Sequence, residues 1–269
     1  MAYITRITTQ VKNNERLNIY IDNGRGEEFG FSVDQNVFVK FQLKKGMEID
    51  ELDFTEVQFE DEVKKAQNLA LQYLSYRMRS EKEVTDYLLK KSIDEPTIKE
   101  VMHQLRDFRY INDEEFAIAY VRTQCKTTSK GPQVIRQELN EKGIEEQHLK
   151  TALKEFPQQQ QIETAVKVTE KIIQQDRKLS QHQLKQKIEQ TLQRKGFPFS
   201  IINIALEEVE YEKDAEEEWE ALKIQGYKAH NRYRKFEGWE YLKKMKQALY
   251  RKGFAIEQIE RFIQEIKEE

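Results

Sequence analysis

Leu88-Leu89-Lys90-Lys91-Ser92-Ile93, Leu139-Asn140-Glu141-Lys142-Gly143-Ile144, Leu192-Gln193-Arg194-Lys195-Gly196-Phe197 and Leu249-Tyr250-Arg251-Lys252-Gly253-Phe254 are four copies of one phrase. An apolar residue stands four positions before each leading leucine: Val84, Ile135, Ile188 and Met245. Six positions beyond each Ser or Gly, an apolar quartet begins at spacing 0, 3, 4, 7. The quartets are Ile98, Val101, Met102, Leu105; Leu149, Ala152, Leu153, Phe156; Ile202, Ala205, Leu206, Val209; and Ile259, Phe262, Ile263, Ile266. Such spacing is the core stripe of an amphipathic helix. The lysine closing each phrase sits at the negative end of a helix. Glycine then supplies the left-handed stop, and Ser92 stands in for it in the first copy.

Working outward, each phrase has a leading helix before it. Ala66, Leu69, Ala70, Tyr73 and Leu74 mark the first, and Phe116, Ala119, Tyr120 and Thr123 the second. Ala165, Val168, Thr169 and Ile172 mark the third; Trp219, Leu222 and the Gly226-Tyr227 region mark the fourth. Ser80-Glu81-Lys82-Glu83 and Ser180-Gln181-His182-Gln183 read as capping boxes, with Asn112-Asp113-Glu114-Glu115 a close relative. Pro132 after Gly131 suits a first helical turn. The leading leucines lie 51, 53 and 57 residues apart, so each unit is three helices. Units of this kind bury their faces by stacking on neighbours. The expected fold is therefore mainly α: tandem three-helix repeats in an elongated curved array, after a small β-containing N-terminal domain. The expected divisions are 1–60 for the β-rich domain and 61–111, 112–157, 158–211 and 212–269 for the four repeats.

The first 60 residues read differently. Tyr3 to Val11, Leu17 to Asp22 and Glu27 to Phe31 are short β-branched and aromatic runs, with a hairpin turn at Asn23-Gly24-Arg25-Gly26. Val33 to Leu43 reads as a short helix capped by Ser32, and Gly46 breaks the chain before Ile49 to Phe54. A domain this small buries only about 60% of its unfolded surface. It is expected to lean on the helical part of the chain rather than stand alone.

Composition narrows the function. Of 269 residues 35% are charged and 38% hydrophobic, with only 10 glycines and 4 prolines. A sheet-rich α/β enzyme needs more turn-forming residues than that. The net charge of −3 provides no global field to attract nucleic acid. The single cysteine, Cys125, fits a reducing compartment. No apolar run approaches the roughly 20 residues that span a bilayer, and Met1 to Arg6 lacks a signal-peptide stretch. A cytoplasmic, monomeric, non-membrane protein is expected.

No motif for catalysis emerges, and no cofactor or metal is expected. Gly24, Gly26 and Gly30 are spaced one residue too long for a phosphate-binding fingerprint, so a hairpin turn is the better reading. His103, His148, His182 and His230 fall in four different helices and read as solvated helix-face residues. Cys125 reads as a packing residue. Helix–turn–helix units raise groove reading, but the helix after the turn carries Glu145, Glu146, Gln147, Lys150 and Glu155 in the second unit. In the fourth it carries Glu257, Gln258, Glu260, Gln264 and Glu265. Carboxylates near phosphates repel, which makes these helices poor groove readers.

Positive charge gathers in the first two units. Arg77, Arg79, Lys90, Lys91, Arg106, Arg109 and Tyr110 stand with Tyr76 and Tyr87, followed by Arg122, Lys126, Lys130 and Arg136. Arginine and tyrosine anchor protein interfaces and also stack on nucleic acid. A solvated face with incidental ion pairs accounts equally well for any one of them. As a group they form the expected working surface.

Ala70-Leu71-Gln72-Tyr73-Leu74-Ser75-Tyr76-Arg77-Met78-Arg79-Ser80, continuing to Lys91, resembles the RecX regulatory protein family. So do Tyr110-Ile111-Asn112-Asp113-Glu114-Glu115-Phe116-Ala117 with Tyr120-Val121-Arg122, and Lys130-Gly131-Pro132 leading to Lys142-Gly143-Ile144. Short members have three three-helix units, so this chain looks like a long form with a fourth. The resemblance implies a non-enzymatic regulator of the RecA recombinase. It implies binding in the groove of the RecA filament on single-stranded DNA, with inhibition of filament extension, ATP hydrolysis and strand exchange. Recombination, DNA repair and the SOS response are the processes it would modulate. The alternative is a single-stranded nucleic-acid-binding module acting by competition for DNA, and weak direct DNA contact stays open under either reading.

Overall fold

The computed structural model describes residues 2–11, 13–209 and 213–268. Four antiparallel strands open the chain: β1 (Ala2–Thr9), β2 (Arg16–Asp22), β3 (Glu27–Asp34) and the short β4 (Glu48–Ile49), in the order β3-β2-β1-β4. The glycine cluster is the β2–β3 turn. The Asp22 carboxylate accepts the Gly24 and Gly26 N–H groups at 2.8 and 3.0 Å, leaving no phosphate cradle there.

The following helix, α1 (Gln35–Lys40), is shorter than expected and is capped by Asp34 rather than Ser32. Ser32 and Val33 instead continue β3, opposite Asn18 and Leu17 of β2. Pairing with a strand distant in sequence has overridden the local cap.

Helix α2 (Glu51–Leu74) begins at a capping box formed by Asp50 and Asp53 and runs unbroken through position 60. Phe54 and Val57 pack against Ile4, Ile19, Phe31, Val33 and Val37 of the sheet domain. Further along, Val63, Ala66 and Ala70 join the core of α3 (Glu81–Lys90) and α4 (Glu95–Asp107), built on Val84, Leu88, Ile98, Val101 and Leu105. The expected division after residue 60 thus falls inside a helix shared by the sheet and the first three-helix unit. Asp61 ties the two together. Its buried carboxylate accepts Arg16 Nη2 at 2.8 Å, Arg16 Nη1 at 3.1 Å and the Asp34 N–H at 2.7 Å.

Nine more helices follow among the described residues, in three further sets of three. They are α5 (Asp113–Thr127), α6 (Pro132–Glu141) and α7 (Glu146–Leu153); α8 (Gln158–Gln175), α9 (Gln181–Arg194) and α10 (Phe199–Glu208); α11 (Ala215–Tyr233), α12 (Gly238–Tyr250) and α13 (Ile256–Glu268). The expected division between 211 and 212 lies outside the described residues. The chain forms two compact units, Met1–Phe116 with Lys142–Ile144, and Ala117–Glu141 with Glu145–Glu269.

Burial follows the repeated phrase. Val84, Ile135, Ile188, Met245 and the four leading leucines all have 0% exposure. Each such side chain contributes about 1.5–3 kcal/mol relative to an exposed one. The quartets are buried except Leu153, Val209 and Ile266, which are half-buried. The second leading helix presents a different face from the one expected. In α5 the buried residues are Phe116, Ala117 and Val121, whereas Ala119 and Tyr120 are half-buried and Thr123 is exposed.

The stop positions carry positive φ in all four copies: Ser92 at 60°, Gly143 at 81°, Gly196 at 87° and Gly253 at 84°. The three glycines face a second constraint. A Cβ on Gly143 would lie 2.9 Å from the Lys82 side chain, on Gly196 2.6 Å from the Val134 nitrogen, and on Gly253 2.5 Å from His182 Cβ. Lys82, Val134 and His182 all sit at the start of α3, α6 and α9, so each glycine turn abuts the first turn of an earlier middle helix. Ser92 belongs to the first copy, with no earlier unit to receive, and is exposed.

Candidate interaction surface

In the first unit the end of α2 and the face of α3 build a column of rings and cations. The Tyr73 and Tyr87 rings stack at 4.1 Å with planes 5° apart. Arg79 Cζ lies 4.0 Å from the centre of the Tyr73 ring, and Lys91 Nζ lies 5.6 Å from that of Tyr87. Aromatic faces carry partial negative charge, so cations hold the column at both ends.

Arg77 is partly committed elsewhere. It donates to Glu83 Oε1 at 3.0 Å and to the Met78 carbonyl at 2.9 Å. Lys142 Nζ reaches the same Glu83 oxygen at 3.0 Å. Burial pushes the Glu83 carboxyl up, but hydrogen bonds from Arg77, Lys142 and the Ser80 N–H outweigh it and hold the group down at about 2. Arg106 is paired with Glu81 at 3.1 Å. Lys90 is exposed and has no ion-pair partner among the described residues. Arg109, at φ 57°, ends the turn after α4 and is exposed beside Tyr110, whose ring lies 6.2 Å from that of Phe108. Tyr76 is also exposed.

The four candidates of the second repeat behave differently. Arg122 pairs with Glu155 at 2.7 Å, Lys130 with Glu138 at 2.5 Å, and Arg136 with Glu146. The hydrogen bond between Arg122 and Glu155 raises the guanidinium pKa and lowers that of the carboxyl. Tyr120 also donates to Glu138, at 2.9 Å. Lys126 is exposed and has no ion-pair partner among the described residues. Glu146 of α7 and Glu155 just beyond its end therefore each neutralise a cation of the two helices before them.

The structure thus brings Arg79 and Lys91 together through Tyr73 and Tyr87, and leaves Lys90, Arg109, Tyr110 and Lys126 presented to solvent. Arg77, Arg122, Lys130 and Arg136 are each matched to a glutamate. Two contributors escaped the sequence reading: Tyr73, counted there as core, and Glu83, counted only as a cap. Glu83 was signalled by its place three residues after the capping Ser80, whereas Arg79 lies six residues beyond Tyr73, outside the i, i+4 spacing a helix would announce.

Other chemistry is sparse. No group of three or more His, Cys, Asp or Glu is placed to hold a metal among the described residues. His103 does have a carboxylate partner, Asp107, at 3.1 Å, but both are exposed. His230 Nδ1 lies 2.8 Å from the Tyr241 hydroxyl. Burial pushes the Cys125 thiol up to about 11, far from a reactive thiolate. No helix among the described residues is long and apolar enough to cross a membrane.

Repeated three-helix units after a small antiparallel sheet define a helical-repeat protein. Family models agree, unit by unit. The regulatory protein RecX N-terminal domain matches residues 2–50, the RecX first three-helix domain 66–105 and the second 112–153. The RecX third three-helix domain matches twice, at 158–206 and 216–263, so the fourth unit is a further copy of the third type.

The chain is 51% identical over 265 residues to regulatory protein RecX of Bacillus velezensis, covering 98% of this chain and 99% of that one. It is 50% identical over 265 residues to regulatory protein RecX of Bacillus subtilis, with the same coverage. A crystal structure of regulatory protein RecX superposes with a TM-score of 0.69 at 34% identity, covering 77% of this chain and all (100%) of that one. RecX from Lactobacillus salivarius superposes with a TM-score of 0.53 at 38% identity, over 55% of this chain and 96% of that one. The chain belongs to the RecX regulatory protein family.

Proposed function

We propose that this protein binds the RecA filament on single-stranded DNA, lies in its groove, and inhibits filament extension, ATP hydrolysis and strand exchange by occupancy. It does so as a cytoplasmic monomer, and through RecA it modulates recombination, DNA repair and the SOS response. The observation that carries the reading is the Arg79–Tyr73–Tyr87–Lys91 column, flanked by Lys90, Arg109 and Tyr110 in and beside the segment matching the family's first three-helix domain. Arginine and aromatic residues anchor interfaces because they bury much area with few lost rotamers. Complementary charge speeds encounter and sets register.

The unpaired cations are the ones to test. Lys90→Glu with Lys91→Glu, and separately Arg109→Glu, remove positive charge without breaking an ion pair of the fold. Each should relieve inhibition of RecA ATPase on single-stranded DNA about tenfold or more in concentration, while helicity stays intact. Inhibition equal to that of the unaltered protein would overturn the assignment of this surface. Inhibition that vanishes when excess single strand is supplied, with no capture of RecA, would favour competition for DNA instead.

A further inference from the structure

The α11–α12 corner carries a second basic and aromatic surface, where four exposed cations lack the carboxylate partners seen in the second repeat. Between Tyr227 and Lys244 there are six basic residues against two acidic ones and five aromatics, in a chain whose net charge is −3. Arg232, Arg234, Lys235 and Lys243 are exposed and have no ion pair among the described residues. Three of them lie over rings instead. Lys243 Nζ is 4.6 Å from the centre of the Trp239 indole, Lys235 Nζ 5.3 Å from Phe236, and Arg232 Cζ 5.5 Å from Tyr233. Lys244, paired with Glu240 at 3.4 Å, also lies over a ring, 4.3 Å from Phe236. Trp239 is nevertheless 72% exposed.

We infer that this corner is a binding site for single-stranded nucleic acid, with Trp239 stacking a base and Arg232, Arg234, Lys235 and Lys243 neutralising the adjoining phosphates. Aromatic faces interleaved with cations are what an unpaired strand needs, since its bases offer open π-faces and its backbone one charge per nucleotide. A duplex hides those faces. The acidic outer side of α13, with Glu257, Glu260 and Glu265, also opposes a wide phosphate footprint. The corresponding corner of the third repeat, Gln174 to His182, has no Trp, Tyr or Phe. The ring–cation cluster is therefore missing from the preceding copy and is not required by the three-helix fold.

The inference goes beyond the RecA reading and does not rest on it, because the ligand is a bare strand. The test titrates the full-length protein into a labelled short oligothymidylate without RecA. Trp239→Ala, and separately Arg234→Glu with Lys235→Glu, should each weaken binding about tenfold or more. Trp239→Phe should restore most of the loss, because phenylalanine still stacks. The charge variant should also flatten the dependence of log affinity on log salt by about 1.4, for two lost phosphate contacts. Lys45→Glu, which removes an exposed cation of the N-terminal domain, should bind the strand as the unaltered protein does. Lys243→Glu is the second variant should Trp239→Ala lose helicity.

No binding of the oligothymidylate by the unaltered protein would overturn the inference, as would equal binding by the corner variants. Sedimentation with phosphatidylglycerol vesicles in place of the strand would overturn it in favour of a membrane surface. Lost strand binding in the corner variants with RecA ATPase inhibition retained supports this site. Retained strand binding with no RecA inhibition by the unaltered protein strikes only the proposed function.

Discussion

The hydroxyl of Ser80 caps α3 and also donates a 2.8 Å hydrogen bond to the carbonyl oxygen of Lys142, at the turn that ends with Gly143. Ser180 does the same toward Lys252. At the intermediate position Gly131 has no side chain, and its backbone N–H donates to the Lys195 carbonyl at 2.6 Å. One hydroxyl thus satisfies an orphan N–H of its own helix and an orphan carbonyl of another.

Ser80→Ala should cost about 1–3 kcal/mol, from the lost cap and a carbonyl left without its donor. Ser80→Asp separates the two roles. Aspartate caps a helix as well as serine does, but its carboxylate faces the Lys142 carbonyl without a proton to give. Urea unfolding should place Ser80→Asp no higher in stability than Ser80→Ala. Stability equal to the unaltered protein would show that the bond to Lys142 contributes nothing.

The stop positions yield a paired comparison. Gly196→Ala forces a Cβ into a positive-φ residue and against the Val134 nitrogen at 2.6 Å. Left-handed backbone costs about 1–2 kcal/mol and overpacking a further 1–3 kcal/mol. A loss of about 2–5 kcal/mol is expected from the two together. Ser92→Gly removes left-handed strain at an exposed site and should be neutral or stabilising by up to about 1 kcal/mol. Equal and opposite small changes at the two positions, read from thermal or urea melts, would mean that stacking makes no demand on Gly196.

Glu83 makes stability depend on pH. Burial opposes its ionisation, but Arg77, Lys142 and the Ser80 N–H bring its pKa to about 2 from an ordinary 4.5. A carboxyl depressed in the folded state contributes stability that is full above the unfolded value and disappears as pH falls through the folded one. The window is therefore from about 4.5 down to about 2. Discounted for solvent around the pair, the contribution is about 1–2 kcal/mol at neutral pH. Glu83→Gln should lose that amount at pH 7, and the two proteins should converge on acidification across the window. A difference that stays constant with pH would assign the loss to packing.

What was legible in the sequence was what repeats locally. Leu88, Leu139, Leu192 and Leu249 recur with a cation and a stop because every unit meets the same local demand, a helix that must end and fold back. The face of α5 was less readable because Ala117, Ala119, Tyr120 and Val121 put apolar groups around much of the helix, so spacing alone did not choose among them. Asp34 displaced Ser32 as a cap because β3 pairs with β2, a choice made by residues far along the chain. The surface was read half correctly for a related reason. Positive residues are visible in a sequence, but the glutamates that neutralise Arg122, Lys130 and Arg136 lie up to 33 residues away. The cluster around Trp239 went unnoticed because charge was weighed on the helix after the turn, whereas this cluster sits at the corner before the middle helix.

Asp61 is the clearest case of a long-range tie and the last to test. It lies in α2, is buried, and holds Arg16 of β2 with the N–H of Asp34 at the end of β3. Burial pushes its carboxyl up, yet hydrogen bonds from Arg16 and Lys65 and the Asp34 N–H leave it below the usual 3.8. Asp61→Ala strands a half-buried guanidinium and an N–H, which costs about 3–5 kcal/mol when a buried pair is broken on one side. The loss should fall unevenly. Amides of β2 and β3 should exchange with solvent much faster, because their anchor to α2 is gone, whereas those of α12 and α13 should keep their protection. Uniform acceleration across the chain would mean that the sheet and the distant helices unfold as one cooperative block. Unchanged exchange in β2 and β3 would mean that apolar contacts through Phe54 and Val57 suffice to hold the sheet.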